Sequence, residues 1–261
     1  MYLEYWGLKQ KPFENTPDPR FLYPSKEHRE GLQKLLYSVS DKKGCALLTG
    51  EYGCGKTILL RTIVANLNAD RYELALINYP IFTNIEFFKE ILYQFGKEKT
   101  SDSRLELFRE LSNLLFTNIR QGKWNLIIID EGQLIEDPAV FEELRLLLNL
   151  QMEDQFLMTI LLVGQPELRE RIMEYPQLDQ RIAVKVHLHR FDHEDTVHYV
   201  EHRLRVAGSE AKIFAPETLY LIYKISYGVP RRINNLCDLC LLEGYNRQSK
   251  TVDAEILKHI I

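Results

Sequence analysis

The sequence predicts an α/β fold: an αβα sandwich around a five-stranded parallel sheet, followed by a small all-helical region. Three observations predict it. Short apolar runs at 45–49, 73–78, 126–129, 156–164 and 183–188 alternate with stretches of helical periodicity. The stretch Gly50-Glu51-Tyr52-Gly53-Cys54-Gly55-Lys56-Thr57 sets a glycine-rich turn between the first apolar run and a helix continuing from Ile58. Beyond Arg190 the strand pattern ends, and only helical segments follow, at about 193–206, 216–226, 230–246 and 253–260. The expected division is an extended arm over 1–24, the α/β region over 25–190 and a helical lid over 191–261.

Residues 1–25 are rich in aromatics and proline, from Tyr5-Trp6-Gly7-Leu8 through Pro12-Phe13 to Thr16-Pro17-Asp18-Pro19 and Phe21-Leu22-Tyr23. Prolines at that density exclude a long helix, which leaves an extended arm. Two readings of it stay open: a strap whose aromatics cover the core, favoured because aromatics mostly bury surface, or a segment lending Phe13 or Tyr23 to an adenine pocket. Ser25 is placed to cap a helix carrying Leu32, Leu35, Leu36 and Val39 at helical spacing. A helix over about 84–95, a turn at 96–100 and an amphipathic helix over about 103–121 follow the second strand. The last of these turns Leu107, Leu111, Leu114, Leu115 and Phe116 to one face. Leu126-Ile127-Ile128-Ile129 reads as a strand buried on both faces, as in a parallel sheet. Pro138 opens a helix with Phe141, Leu144, Leu147, Leu148 and Leu150 inward, Phe156–Gly164 is a further buried strand, and the alternating Ala183–Leu188 is a fifth, edge strand.

The chain has 261 residues, 45% hydrophobic and 27% charged, enough for a sizeable core. A net charge of −4 gives no global attraction to nucleic acid or anionic lipid, although a local basic stripe remains compatible with it. No apolar run approaches the roughly 20 residues that span a bilayer, and the start lacks the basic and apolar parts of a signal peptide. Four scattered cysteines make no disulfide framework. The expectation is a cytoplasmic protein with no direct membrane insertion.

The chemistry begins at the glycine loop, which fits G-x-x-x-x-G-K-[ST] residue for residue. Such a loop aims backbone N–H groups at one spot, and the helix N-terminus adds partial positive charge. Gly50 to Gly55 would cradle phosphate, Lys56 would reach the β/γ-phosphates and the Thr57 hydroxyl would bind Mg²⁺. The spacing predicts a site for a nucleoside triphosphate. Asp130 and Glu131 sit at the C-terminal end of a central strand, where open α/β sheets place ligands. Asp130 suits the Mg²⁺ shell, and Glu131 suits orienting or activating the attacking water. Gln165, at the end of the next buried strand, could reach a γ-phosphate or its water.

Taken together, these segments resemble an AAA+ ATPase, a P-loop NTPase sandwich with a helical lid. Tyr5-Trp6-Gly7-Leu8, Thr16-Pro17-Asp18-Pro19, Leu48-Thr49-Gly50-Glu51, Leu144-Arg145-Leu146-Leu147-Leu148-Asn149-Leu150, Val163-Gly164-Gln165-Pro166-Glu167-Leu168 and Gly228-Val229-Pro230-Arg231-Arg232-Ile233-Asn234 narrow it. They are similar to the ExeA/GspA-type general secretion pathway ATPases, over about residues 2–245. The resemblance implies ATP and Mg²⁺, with Lys56 and Thr57 as Walker A, Asp130 and Glu131 as Walker B, and Gln165 as sensor 1. It implies Arg181 as an arginine finger entering a neighbour's site and Arg231 as the sensor-2 arginine. Ile58 and Pro230 fall among the nucleotide contacts. Cys54 and Tyr52 depart from the usual threonine and small residue, without removing a backbone phosphate ligand. Long proteins of the group continue into a transmembrane helix and a peptidoglycan-binding part.

The resemblance further implies an ATPase whose nucleotide state drives self-association into a ring or filament. Its work would be assembly of a secretion, pilus or polysaccharide-export envelope complex. The alternative is a transposition-type regulator forming ATP-dependent filaments on duplex DNA, for which Lys97, Lys99, Arg104, Arg109, Arg120 and Lys123 are candidate contacts. A nucleotide-bound subunit without turnover is disfavoured by the intact Glu131. The Cys237-x-x-Cys240 spacing, inside a helix with Leu236, Leu239 and Leu241, reads as core. His189, His193, His198 and His202 read as solvated surface, and Arg203-Leu204-Arg205 as a mixed-charge face.

Overall fold

The structure, a computed structural model, describes residues 2–152 and 155–261. These fall into two compact units. One takes the chain through Arg29, then Glu51–Thr62 and His189–Ile261; the other takes Glu30–Gly50 and Ile63–Leu188.

The sheet unit holds five parallel strands, β1 (Cys45–Gly50), β2 (Tyr72–Ile77), β3 (Trp124–Ile129), β6 (Met158–Gly164) and β7 (Ile182–Leu188), in the order β2-β3-β6-β1-β7. β1, β3 and β6 are buried along their whole length, the pattern of a sheet covered on both faces. β7 is an edge strand, as its alternation predicts. All five run the same way, so Gly50, Asp130, Gln165 and Leu188 fall at one edge of the sheet. Helices α4 (Asn84–Gln94), α5 (Arg104–Arg120), α6 (Pro138–Leu147), α7 (Pro166–Met173) and α8 (Pro176–Asp179) complete this unit. α4 begins on a reciprocal capping box between Thr83 and Glu86, and Asp137 caps α6 ahead of Pro138. The core runs from Phe87, Phe88 and Ile91 through Leu107, Leu111 and Leu115 to Ile127, Ile129, Phe141, Ile160 and Leu162.

Several local expectations need correction. The predicted strand over 156–164 is split: Gln155–Phe156 (β5) pairs antiparallel with Gln151–Met152 (β4), and the sheet strand starts only at Met158. Leu114 and Phe116 flank the core instead of entering it. So does Leu150, because α6 ends three residues earlier and the chain has already turned. α7 and α8, of eight and four residues, are too short to leave a periodic signature.

The second unit is helical: α9 (His193–Val206), α10 (Pro216–Ser226), α11 (Pro230–Asn246) and α12 (Ala254–Ile260). The N-terminal arm belongs to it, and the strap reading is the one realised. Trp6 is buried and donates from Nε1 to Leu241 O at 2.9 Å, Phe13 packs edge-on to Phe214, and Tyr23 bonds Asp195 while packing on Phe191 and Tyr199. The arm is less extended than expected, with a helical turn at Tyr2–Tyr5 (α1) and a 3₁₀ turn at Pro19–Phe21. Arg203 corrects the surface reading of its segment. It is buried, donates to Pro12 O and to Glu14 O, and lies 4.5 Å over the Phe21 ring, so one guanidinium fastens the arm. His202 is half-buried beside Tyr23, not solvated like His193 and His198. Cys237 and Cys240 are fully buried in this core, and burial pushes both thiols up, Cys240 to about 12. Helices α2 (Lys26–Ser40), which Ser25 caps, and α3 (Lys56–Ala65) each divide their residues between the two units.

Candidate functional site

The glycine loop follows β1 and ends in the first turn of α3. Gly53 and Gly55 hold φ of +82° and +97°, the region where a side chain is strained, so the turn needs glycine at both places. Gly53 is also a point of close approach. A Cβ there would lie 3.0 Å from Arg231 and Val229 at the start of α11. Lys56 is buried, and its Nζ donates back to Glu51 O at 3.0 Å, curled along its own loop. Thr57 is exposed at the helix start, Ile58 is half-buried behind it, and Pro230 is buried at the first position of α11.

Two side chains that sequence reasoning did not place, His28 and Arg190, hold this loop together with Arg231. His28 donates from Nε2 to Cys54 O at 3.1 Å, because a carbonyl can only accept, and Nδ1 then accepts from Ser25 Oγ at 2.8 Å. Burial pushes the His28 imidazole below its usual range, which keeps it neutral and this tautomer intact. Arg190 pairs with the Glu51 carboxylate, and Arg231 both bonds the Tyr52 hydroxyl and stacks 5.0 Å over its ring. Arg231 thus meets the loop by way of the unusual Tyr52. The signal for His28 was faint: one histidine three residues after a capping serine. Burial likewise raises the Cys54 thiol to about 11, an inert side chain filling the space under the turn.

At the carboxyl edge of the sheet the structure brings together Asp130, Glu131 and Gln165. Asp130 is buried and accepts the Glu131 N–H at 2.8 Å. Glu131 has φ +52°, left-handed for a residue with a side chain, at a cost of order 1 kcal/mol or more. Such strain is held where the surroundings over-determine it. Gln133 supplies that constraint, bonding both Glu131 and the Gln165 backbone. Gln165 caps α7 with its side chain left half-exposed. Arg181 is engaged elsewhere in the unit, donating to Leu148 O at 2.8 Å and to Asn149 at the C-terminal end of α6. Hydroxyl and carboxylate oxygens at Thr57 and Asp130 are hard donors of the kind Mg²⁺ takes. Among the described residues no cluster of three or more His, Cys, Asp or Glu could cage a metal unaided.

The description "AAA domain" matches residues 39–172, half of the chain. The chain belongs to the AAA domain family. A curated relative, General secretion pathway protein A of Aeromonas hydrophila, is 37% identical over 255 residues, 97% of this chain, and the chain spans 46% of that relative's length. The ExeA/GspA-type resemblance read from the sequence therefore stands. This AAA chain also shares its fold with solved structures of low identity. The ORC2 protein of Aeropyrum pernix, in ADPNP-ADP complexes, superposes with a TM-score of 0.72 at 18% identity, covering 96% of this chain and 71% of that one. Drosophila ORC bound to DNA gives 0.72 at 17%, covering 98% and 64%. The Thermotoga maritima RuvB Holliday junction branch migration motor gives 0.60 at 17%, covering 88% and 67%. The AAA+ fold class stands with them: five parallel strands, flanking helices and a helical C-terminal region. Among the described residues no helix of this AAA chain is long and apolar enough to cross a membrane.

Proposed function

We propose that this chain binds ATP and hydrolyses it slowly, that its nucleotide state drives self-association, and that it serves assembly of a secretion, pilus or polysaccharide-export envelope complex from the cytoplasmic side. The observation carrying this reading is the 37% identity to General secretion pathway protein A along nearly the whole chain.

Each residue has a role in that reaction. Glycine-loop N–H groups from Gly50 to Gly55, with Ile58 and Pro230 beside them, receive the nucleotide, and Lys56 exchanges the Glu51 carbonyl for phosphate oxygens. Mg²⁺, when bound, neutralises phosphate charge; Thr57 and Asp130 would hold it. Glu131 orients the attacking water and takes its proton. Gln165 hydrogen-bonds the γ-phosphate or that water. Arg231 exchanges Tyr52 for the γ-phosphate, and Arg181 supplies positive charge to a neighbouring copy's site.

The test is ATPase rate and particle mass measured together, with and without duplex DNA. ATP-dependent oligomers and turnover indifferent to DNA support the envelope reading. Stimulation and filament growth on DNA, weakening steeply with salt, would replace it with the transposition-type reading. That alternative has less charge to work with than its sequence suggests, since Glu143 pairs with Arg104 and Glu73 with Lys123.

A further inference from the structure

Gln133 lies on the 3₁₀ turn Gly132–Leu134, immediately after the acidic pair, and its side-chain amide is used at both ends. Nε2 donates to Glu131 Oε2 at 2.5 Å, and Oε1 accepts the backbone N–H of Gln165 at 2.9 Å. The orientation is dictated by chemistry. A backbone N–H can only donate, so Oε1 must face Gln165, which leaves Nε2 for the carboxylate. A primary amide is suited to this span because it carries a donor and an acceptor on one carbon.

The surroundings are built to seat it. A Cβ on Gly164 would stand 2.7 Å from Gln133 Oε1, so the glycine ending β6 is what admits the amide. Arg171, on α7, donates from Nη1 to Gln133 O at 3.2 Å while lying 5.1 Å over the Phe141 ring, which holds the turn from outside. Leu134 N–H closes the turn on Glu131 O at 2.8 Å, and Glu131 keeps its left-handed backbone within it.

From these contacts we propose that Gln133 is a positioning residue that couples the tip of β6 to Glu131. A displacement of Gln165 on meeting a γ-phosphate is passed through the Gln133 amide to the carboxylate that handles water. This rests on the hydrolysis reading above. Movement of the Glu131 carboxylate alone, or of the Gln165 backbone N–H alone, breaks a bond at the amide, so the two move together.

The experiment is steady-state hydrolysis of Mg-ATP by the whole chain, paired with amide hydrogen exchange. Gln133→Leu removes both bonds at similar size. Gln133→Glu keeps an acceptor for Gln165 but sets a carboxylate against Glu131. Both should lower kcat about 10–100-fold, the range for a misplaced reacting group, with KM for ATP within about twofold. Exchange at the Gln165 amide should quicken in Gln133→Leu and stay slow in Gln133→Glu. A third comparison reads the backbone bond itself. Gln165 has φ −77°, which proline adopts, so Gln165→Pro deletes the N–H that Gln165→Ala retains. Pro should lose more turnover than Ala in the parent chain and no more than Ala in the Gln133→Leu background. Parent-like kcat in Gln133→Leu overturns the coupling alone, as does a rise in KM matching the fall in kcat. A parent chain with no turnover overturns the hydrolysis reading, and the coupling with it.

Discussion

His28 shows how one side chain can hold the loop proposed to receive phosphate without itself being part of that loop. Its Nε2 hydrogen holds the Cys54 carbonyl, so that oxygen of the loop is committed to the imidazole. Burial lowers the His28 pKa below that of an unfolded histidine, near 6.5. Between those two values the unfolded chain binds a proton that the folded chain does not, so stability falls as pH falls below about 6.5. Thermal midpoints from pH 7.5 to 5.5 should therefore drop more steeply in the parent than in His28→Gln; parallel curves would remove His28 as the group responsible. Lys56→Ala should weaken ATP binding by about 10–100-fold or more, from the roughly 1.5–3 kcal/mol of charge-assisted hydrogen bonds lost. A fluorescent-nucleotide titration checks it, and parent-like affinity would sink the phosphate-loop assignment.

At the scale of elements, the central strands are held to their helices by polar side chains as well as by apolar packing. Asn125, the second residue of β3, is fully buried. Its Nδ2 donates to Leu115 O of α5 and to Leu157 O, while its Oδ1 accepts from Asn118. A single amide thus ties α5, β3 and the start of β6. Asn125→Ala should cost about 2–4 kcal/mol, because two buried carbonyls and an amide lose their partner together. Urea unfolding with an unchanged slope would measure it, and a loss under 1 kcal/mol would mean water replaces the amide. The same geometry explains what was legible. The all-buried strands declared themselves as short apolar runs, and α6 through its opening Pro138. The antiparallel β4–β5 pair did not, because two residues per strand carry no period.

For the molecule as a whole, the proposed turnover rests on what a second copy would supply. Arg181 is tied to the C-terminal end of α6 through Leu148 O and Asn149, a helix end whose carbonyls attract a cation. If it acts in a neighbour's site, Arg181→Ala should cut turnover on the order of 10³-fold while leaving nucleotide affinity of the monomer intact. Loss of monomer affinity would show instead that it acts within its own chain. Glu131→Gln should bind ATP, fail to hydrolyse it and lock whatever oligomer ATP builds; sizing by light scattering with ATP would show the trapped species. Parent-like turnover by that variant would remove Glu131 from the chemistry.

Local sequence sufficed wherever local physics decides: the glycine loop between strand and helix, the acidic pair ending a buried strand, the helical tail. Each depends on residues within about ten positions, so period and turn chemistry expose it. The tertiary structure alone decided which distant groups complete those pieces. His28 reaches Cys54 across 26 positions, Gln133 reaches Gln165 across 32, and Arg203 fastens an arm nearly 190 residues before it. A hydrogen bond needs its partners within about 3 Å and correctly oriented. No spacing in a sequence encodes that condition between residues brought together only by the packing of the fold.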